Sequence, residues 1–271
     1  MPSIDLARLR KQAARLADFF FLPEEFLRHL HETLDFYVNR TLRRAPAAGP
    51  ASNLPTYRTP AVVLQQIETE LRRLAIQSPA ETLELADRLW DEGFLEARRL
   101  AAFLLGCIPP QGDQLLARLT AWTGQVSDPA VRAALLTDSL SRMRRETPEQ
   151  FLLVVGEWLQ PERSGLWSNG LQALLAMISE PDFENLPPVL KLIEPVLVAA
   201  PPAVQLDLRD LILALYEAAP EETTYFIRQV LTASNNPMTA ITLRRIAPAF
   251  PAELRAQVRE LIRPTPLSKG D

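Results

Sequence analysis

Cysteine and histidine are almost missing from this sequence, with one Cys and two His in 271 residues. The lone Cys107 excludes an intrachain disulfide and any Cys-x-x-Cys metal knuckle. It falls in the apolar run Phe103-Leu-Leu-Gly-Cys-Ile108, the setting of a buried structural thiol rather than a reactive one. His29 and His31 stand two apart on a predicted helix, so their rings point to different sides and make a poor metal pair. No Gly-rich phosphate loop and no His-Glu-x-x-His stretch occurs. No cofactor and no metal are therefore expected.

Glycine is also scarce, 9 residues against 24 prolines, and β-branched residues are few beside Leu, Ala, Arg and Glu. That balance excludes a strand-and-turn architecture and favours helices punctuated by proline. Long apolar runs are lacking: the stretch from Leu192 to Ala203 is broken by Glu194, Pro195 and Pro201, too soon to span a bilayer. The opening Met1-Pro-Ser-Ile-Asp leads into no signal-peptide core, so a cytoplasmic protein without membrane contact is expected. A basic excess is absent too. The net charge is −4, with 11 Lys+Arg against 8 Asp+Glu in residues 1–77 and 18 against 25 in the remainder. Proteins that grip DNA through many phosphates usually carry a basic surplus, so DNA binding here needs a local basic strip.

What is present is a rhythm of helix starts. Proline is tolerated at the first helical position, where its missing N–H costs nothing, and acidic residues there suit the helix dipole. Pro23-Glu-Glu25, Ser78-Pro-Ala-Glu81, Thr147-Pro-Glu149, Pro220-Glu-Glu222 and Pro251-Ala-Glu253 repeat that signature. Apolar residues between these starts follow helical spacing, as in Leu6, Leu9, Ala13, Leu16, Phe20. Together they predict helices near 3–20, 23–43, 60–77, 79–92, 94–108, 113–123, 129–145, 148–159, 165–179, 186–199, 202–218, 221–233, 239–248 and 251–262. From residue 60 the pairs advance by roughly 35–45 residues, the period of helical-repeat solenoids. The predicted fold is all-α, a HEAT-like α-solenoid of stacked antiparallel helix pairs.

Residues 44–59, rich in Pro, Ala, Gly and Ser, read as a flexible linker. It separates an N-terminal helical pair, residues 1–43, from the repeat array over 60–262, with 263–271 as a tail. The pair is suited either to capping the array or to self-association into a homo-oligomer.

Arginine far outnumbers lysine and recurs in pairs: Arg43-Arg44, Arg72-Arg73, Arg98-Arg99, Arg144-Arg145 and Arg244-Arg245. Falling on equivalent helices, the pairs would form one basic stripe, since the guanidinium fork matches a phosphate. The competing reading is a set of exposed residues balanced by neighbouring acids, as Glu96 would balance Arg98 or Arg99. Trp90, Trp122, Trp158 and Trp167 sit at helix ends, where indoles fill the seams between stacked pairs.

The stretch Leu85-Ala-Asp-Arg-Leu-Trp-Asp-Glu-Gly-Phe-Leu-Glu-Ala-Arg-Arg-Leu-Ala-Ala-Phe-Leu-Leu105 resembles a hallmark segment of the DNA alkylation repair family of HEAT-like proteins. There a helix ending in Leu-Trp is followed by an acidic turn, Glu-x-Arg and an Ala/Leu-rich helix. Leu166-Trp-Ser-Asn-Gly-Leu-Gln-Ala-Leu-Leu175 and Asp182-Phe-Glu-Asn185 are similar to later parts of the family, and the likeness extends over about 60–262. The resemblance implies a concave basic face for alkylated duplex DNA. It also implies glycosylase chemistry in which aromatic and acidic side chains act on the deoxyribose while the lesion stays stacked. Asp138 matches the family's acid, within Leu135-Leu-Thr-Asp-Ser139. Ala134 stands where the aromatic residue would be, and Trp167 is followed by Ser168, Asn169 and Gly170 rather than by arginines.

Those departures point to a non-catalytic scaffold that binds a protein partner or duplex DNA through Arg72, Arg73, Arg98, Arg99, Arg142, Arg144, Arg145, Arg244 and Arg245. The alternative is a divergent alkylpurine DNA glycosylase using Asp138. Asp138 with Arg142 one turn on also has the spacing of an ordinary intrahelical ion pair.

Overall fold

The computed structural model describes residues 4–38, 52–110, 113–180, 183–234 and 236–262, and they divide into two compact units, 1–148 and 149–271. Among the described residues every regular element is helical. Among these residues no helix is long and apolar enough to cross a membrane.

The first unit runs α1 (Leu6–Ala17), α2 (Pro23–Phe36), α3 (Ala61–Gln77), α4 (Pro79–Asp91), α5 (Leu95–Leu105), α6 (Asp113–Gln125), α7 (Pro129–Thr137) and α8 (Ser141–Glu146). The second runs α9 (Pro148–Trp158), α10 (Trp167–Ile178), α11 (Leu186–Ala199), α12 (Gln205–Ala218), α13 (Pro220–Ala233), α14 (Pro237–Ile246) and α15 (Ala252–Leu261). Proline opens α2, α4, α7, α9, α13 and α14, where the helix has no N–H to lose. Asp5, Asp128 and Asn236 cap α1, α7 and α14 by accepting from backbone N–H groups of the first turn, replacing partners that the helix cannot supply.

Within each unit most packing is between helices one or two apart in the chain, with α11 against α14 as the exception. In the first, α1 meets α2 and α3, α2 meets α4, α3 meets α4 and α5, α4 meets α5, and α5 meets α7. In the second, α10 meets α11 and α12, α12 meets α13 and α14, and α13 meets α15. Helices such as α3, α5 and α12 are therefore packed from more than one side. Leu100, Ala101, Ala102, Leu104 and Leu105 of α5 are all fully buried. All four tryptophans are buried, and Trp90 and Trp122 stack face to face with centroids 4.3 Å apart.

Several boundaries shift by two or three residues from the sequence-based expectation, and two differences are larger. The helix expected over 23–43 ends at Phe36, with 39–43 outside the described residues. The single helix expected over 129–145 is broken at Asp138–Leu140 into α7 and α8. The break lies against Gly106: a Cβ there would stand 2.0 Å from the Asp138 carbonyl oxygen and 2.9 Å from Ser141 Oγ. Glycine at 106 is what lets the Asp138 turn seat on the end of α5.

Of the expected linker, residues 44–51 lie outside the described residues. Residues 52–60 form a strap whose backbone and hydroxyl groups are held at two helix starts. At α7, Asp128 Oδ2 accepts from Ser52 Oγ at 2.8 Å and from the Asn53 N–H at 2.7 Å. At α5, Glu96 Oε1 accepts from Thr56 Oγ1 at 2.7 Å and from the Arg58 N–H at 3.1 Å.

Candidate nucleic-acid interface

Glu68 and Arg72 lie one helical turn apart on α3, and so do Arg99 and Phe103 on α5. That spacing puts each pair on one face of its helix, and because α3 packs on α5 the two pairs meet. The turn after α7 brings Asp138 to the same place, and α8 adds Arg144 and Arg145. Together they line a cavity of about 580 Å³ in the first unit, with Gly106 and Cys107 at the end of α5.

The charges inside are unevenly satisfied. Arg144 is 8% exposed and donates from Nη1 to the Thr137 carbonyl at 2.7 Å, closing the end of α7. Arg145 donates from Nε to the Ser141 carbonyl at 3.1 Å, and the Arg72 guanidinium lies 4.9 Å from the Phe103 ring centroid. Among the described residues, Arg72, Arg99 and Arg145 have no carboxylate within ion-pairing distance. Their guanidinium charges are therefore presented to whatever enters.

The two carboxyl groups are set differently. Asp138 terminates α7, where helix carbonyls disfavour a negative charge. Burial pushes its carboxyl above the usual range, opposed by the Thr137 hydroxyl, which donates to Oδ1 at 3.2 Å, and by Arg99 and Arg144. Glu68 is raised as well, first by burial and then by Asp138, while Arg99 and Arg72 pull it down. Arg99 thus acts on both carboxyls. Burial pushes the Cys107 thiol up to about 11, which makes it inert, as the apolar run around it suggests.

Arg72, Arg99, Arg144 and Arg145 thus come together with Asp138, while the remaining expected site residues lie elsewhere. Arg73 is exposed and does not line the cavity. Arg98 clamps the α4–α5 turn, donating from Nε to the Trp90 and Glu92 carbonyls, both at 3.2 Å. Arg142 does not pair with Asp138: with the helix broken between them, it bonds Glu146 at 2.8 Å and the Cys107 carbonyl at 2.7 Å. Arg244 and Arg245 belong to the second unit, where Arg244 donates to the Ile262 carbonyl at 3.3 Å. Glu96 balances neither Arg98 nor Arg99; it is 4% exposed and serves the strap. Sequence reading missed Glu68, Phe103 and Gly106. The one-turn spacings were the available signal for the first two, and only the broken helix reveals the third.

The charge division between the units is also plain. The first holds 19 Lys+Arg against 18 Asp+Glu, the second 10 against 15. The sequence model of the DNA alkylation repair enzyme family matches residues 55–245, which include every residue lining the cavity.

The chain belongs to the DNA alkylation repair enzyme family.

The match begins inside the strap and runs into α14. No curated protein and no solved structure gives a match. Membership supports a function related to DNA repair. Ala134, one turn before Asp138, is buried, and the aromatic side chain that lines the cavity is Phe103. Trp167 is 3% exposed and donates from Nε1 to the Gln160 carbonyl at 3.0 Å.

Proposed function

We propose that this protein is a HEAT-like α-solenoid that binds duplex DNA through the first unit, with a backbone phosphate seated in the α3–α5–α8 cavity, as a cytoplasmic, non-catalytic member of its family. The observation that carries this reading is the convergence on one concavity of Arg72, Arg99 and Arg145, none of which has a carboxylate within ion-pairing distance among the described residues. Guanidinium groups recognise phosphate through paired N–H donors. Four arginines against two carboxyls favour an anion there over a basic protein segment. The preponderance of packing between helices one or two apart in the chain supports the stacked-pair architecture.

The absence of base release rests on the aromatic group. A cationic sugar is stabilised by an exposed π-face. Ala134 offers none, and Phe103 is 8% exposed with the Arg72 guanidinium beside its ring.

A second reading, a divergent alkylpurine glycosylase, is favoured by one observation: Asp138 faces the cavity rather than pairing along its helix. One experiment separates the two. Fluorescence anisotropy would be followed with duplex DNA, with and without an abasic-site analogue, at two salt concentrations, alongside base release from alkylated DNA. Salt-sensitive binding without base release is expected. Base release by the wild type that Asp138→Asn abolishes would establish the glycosylase. No binding at low salt would remove both.

A further inference from the structure

Arg99 acts on two carboxyl groups at once, and one of them belongs to no motif. Glu68 sits on α3, across the cavity from the Asp138 turn. The other groups facing it are Arg72 from its own helix, Arg99 and Cys107 from the α5 side, and Arg144 and Arg145 from α8. Helices α1 and α4, the other neighbours of α3, bring no charged group to the cavity among the described residues.

Two carboxylates in one small cavity are a cost when ionised together, and the arginines offset it. A phosphate entering the cavity changes that balance. It competes for the same guanidinium groups, and its own negative charge disfavours ionised carboxyls beside it. The cheapest response is protonation of the carboxyl already hardest to ionise.

We propose that Glu68 is the second acid of this cavity and that an anion bound there brings a proton onto the Glu68–Asp138 pair, so that phosphate binding and proton uptake are linked. The proposal rests on the cavity being a phosphate seat. The balance is simple: one proton is taken from solvent onto a carboxylate oxygen, and the charge of the side chains rises by one, which offsets the single negative charge that the phosphodiester brings. Burial raises both carboxyls from their ordinary values, so the free pair already lies part of the way towards uptake. By linkage, DNA affinity rises as pH falls through the range where the pair titrates.

The test is anisotropy titration of a labelled duplex at constant ionic strength, between about pH 5 and about pH 8, with wild type, Glu68→Gln and Arg99→Ala. Wild-type affinity is expected to increase towards low pH. Glu68→Gln is expected to bind about three- to tenfold more tightly than wild type at the alkaline end and to show a shallower pH dependence. Arg99→Ala is expected to lose binding throughout.

If Glu68→Gln reproduces the wild-type affinity and pH profile while Arg99→Ala still weakens binding, the phosphate seat stands and the Glu68 proposal falls. That outcome would also assign the pH dependence to groups outside the cavity. If no variant binds duplex, the DNA reading falls. The Glu68 carboxyl is then followed by ¹³C NMR in wild-type protein with sodium sulfate, an anion that does not itself titrate here. A midpoint that moves up on sulfate addition upholds the linkage, and one that stays put overturns it.

Discussion

A carboxylate at the C-terminal end of a helix, half-buried and without a formal cation partner, lowers the stability of the fold that holds it. Asp138 is such a group. Its folded-state pKa is raised, so the folded chain binds the proton more tightly than the unfolded chain. The resulting contribution is favourable in acid and is lost as pH rises past the ordinary carboxylate range. Asp138→Asn is therefore expected to raise the melting temperature at neutral pH and to bring little gain at about pH 4. A melting temperature that falls at neutral pH would show that the ionised form makes bonds needed by the turn. Gly106 is constrained in the opposite sense. Gly106→Ala sets a methyl group against the Asp138 carbonyl, and overpacking of this kind costs about 1–3 kcal/mol, measurable by urea denaturation. Because the turn must shift, the same substitution is also expected to weaken DNA binding.

At the scale of elements, the strap is decisive. It precedes α3 directly and is bonded to the starts of α5 and α7, so it ties together the helices that supply Glu68, Arg99 and Asp138. Asp128 caps α7 and holds the strap with the same carboxyl group. Burial works to raise its pKa, but the N–H groups of Val131 and Asn53, the Ser52 hydroxyl and the Ala130 N–H outweigh it and hold it below its ordinary value. Its stabilising contribution is thus present at neutral pH and lost as pH falls through that lowered value. Asp128→Ala is expected to cost about 1–3 kcal/mol, since a cap and buried hydrogen-bonding groups are lost together. It is also expected to raise amide exchange in both the strap and the first turn of α7.

Helix identities were legible because proline starts and apolar periodicity are local signals. The Pro129 start and the spacing after it correctly mark a helix, but nothing local announces its interruption at Asp138. That break depends on the absent side chain of Gly106, some thirty positions earlier. The strap was misjudged for a related reason. Its two prolines and its Ser and Thr residues describe a chain with weak preferences of its own, whereas its hydrogen bonds come from Asp128 and Glu96. Arg98 and Arg99, adjacent in sequence, serve a turn and a cavity respectively. Arg144 and Arg145 both reach the cavity, whereas only one of Arg72–Arg73 and one of Arg98–Arg99 does, so the pairing by itself did not mark the site.

At the scale of the whole molecule, charge is divided unequally between the units, nearly balanced in 1–148 and acidic in 149–271. A net charge of −4 therefore hides a local site rather than excluding one. A small site predicts shallow salt dependence. If the cavity seats one backbone phosphate between Arg72, Arg99 and Arg145, the plot of log affinity against log salt for duplex DNA has a slope of about −1. A slope of about −6 or steeper would mean that a broad surface, not the cavity, grips the backbone.

Cys107 has a use that its chemistry does not advertise. It is the sole thiol of the chain, 3% exposed at the end of α5, beside the proposed phosphate seat. Its labelling by a thiol-specific reagent under native conditions must await local opening of that region. The unaltered protein therefore carries its own clock for breathing at the cavity, and a ligand that fastens α5 to the Asp138 turn would slow it.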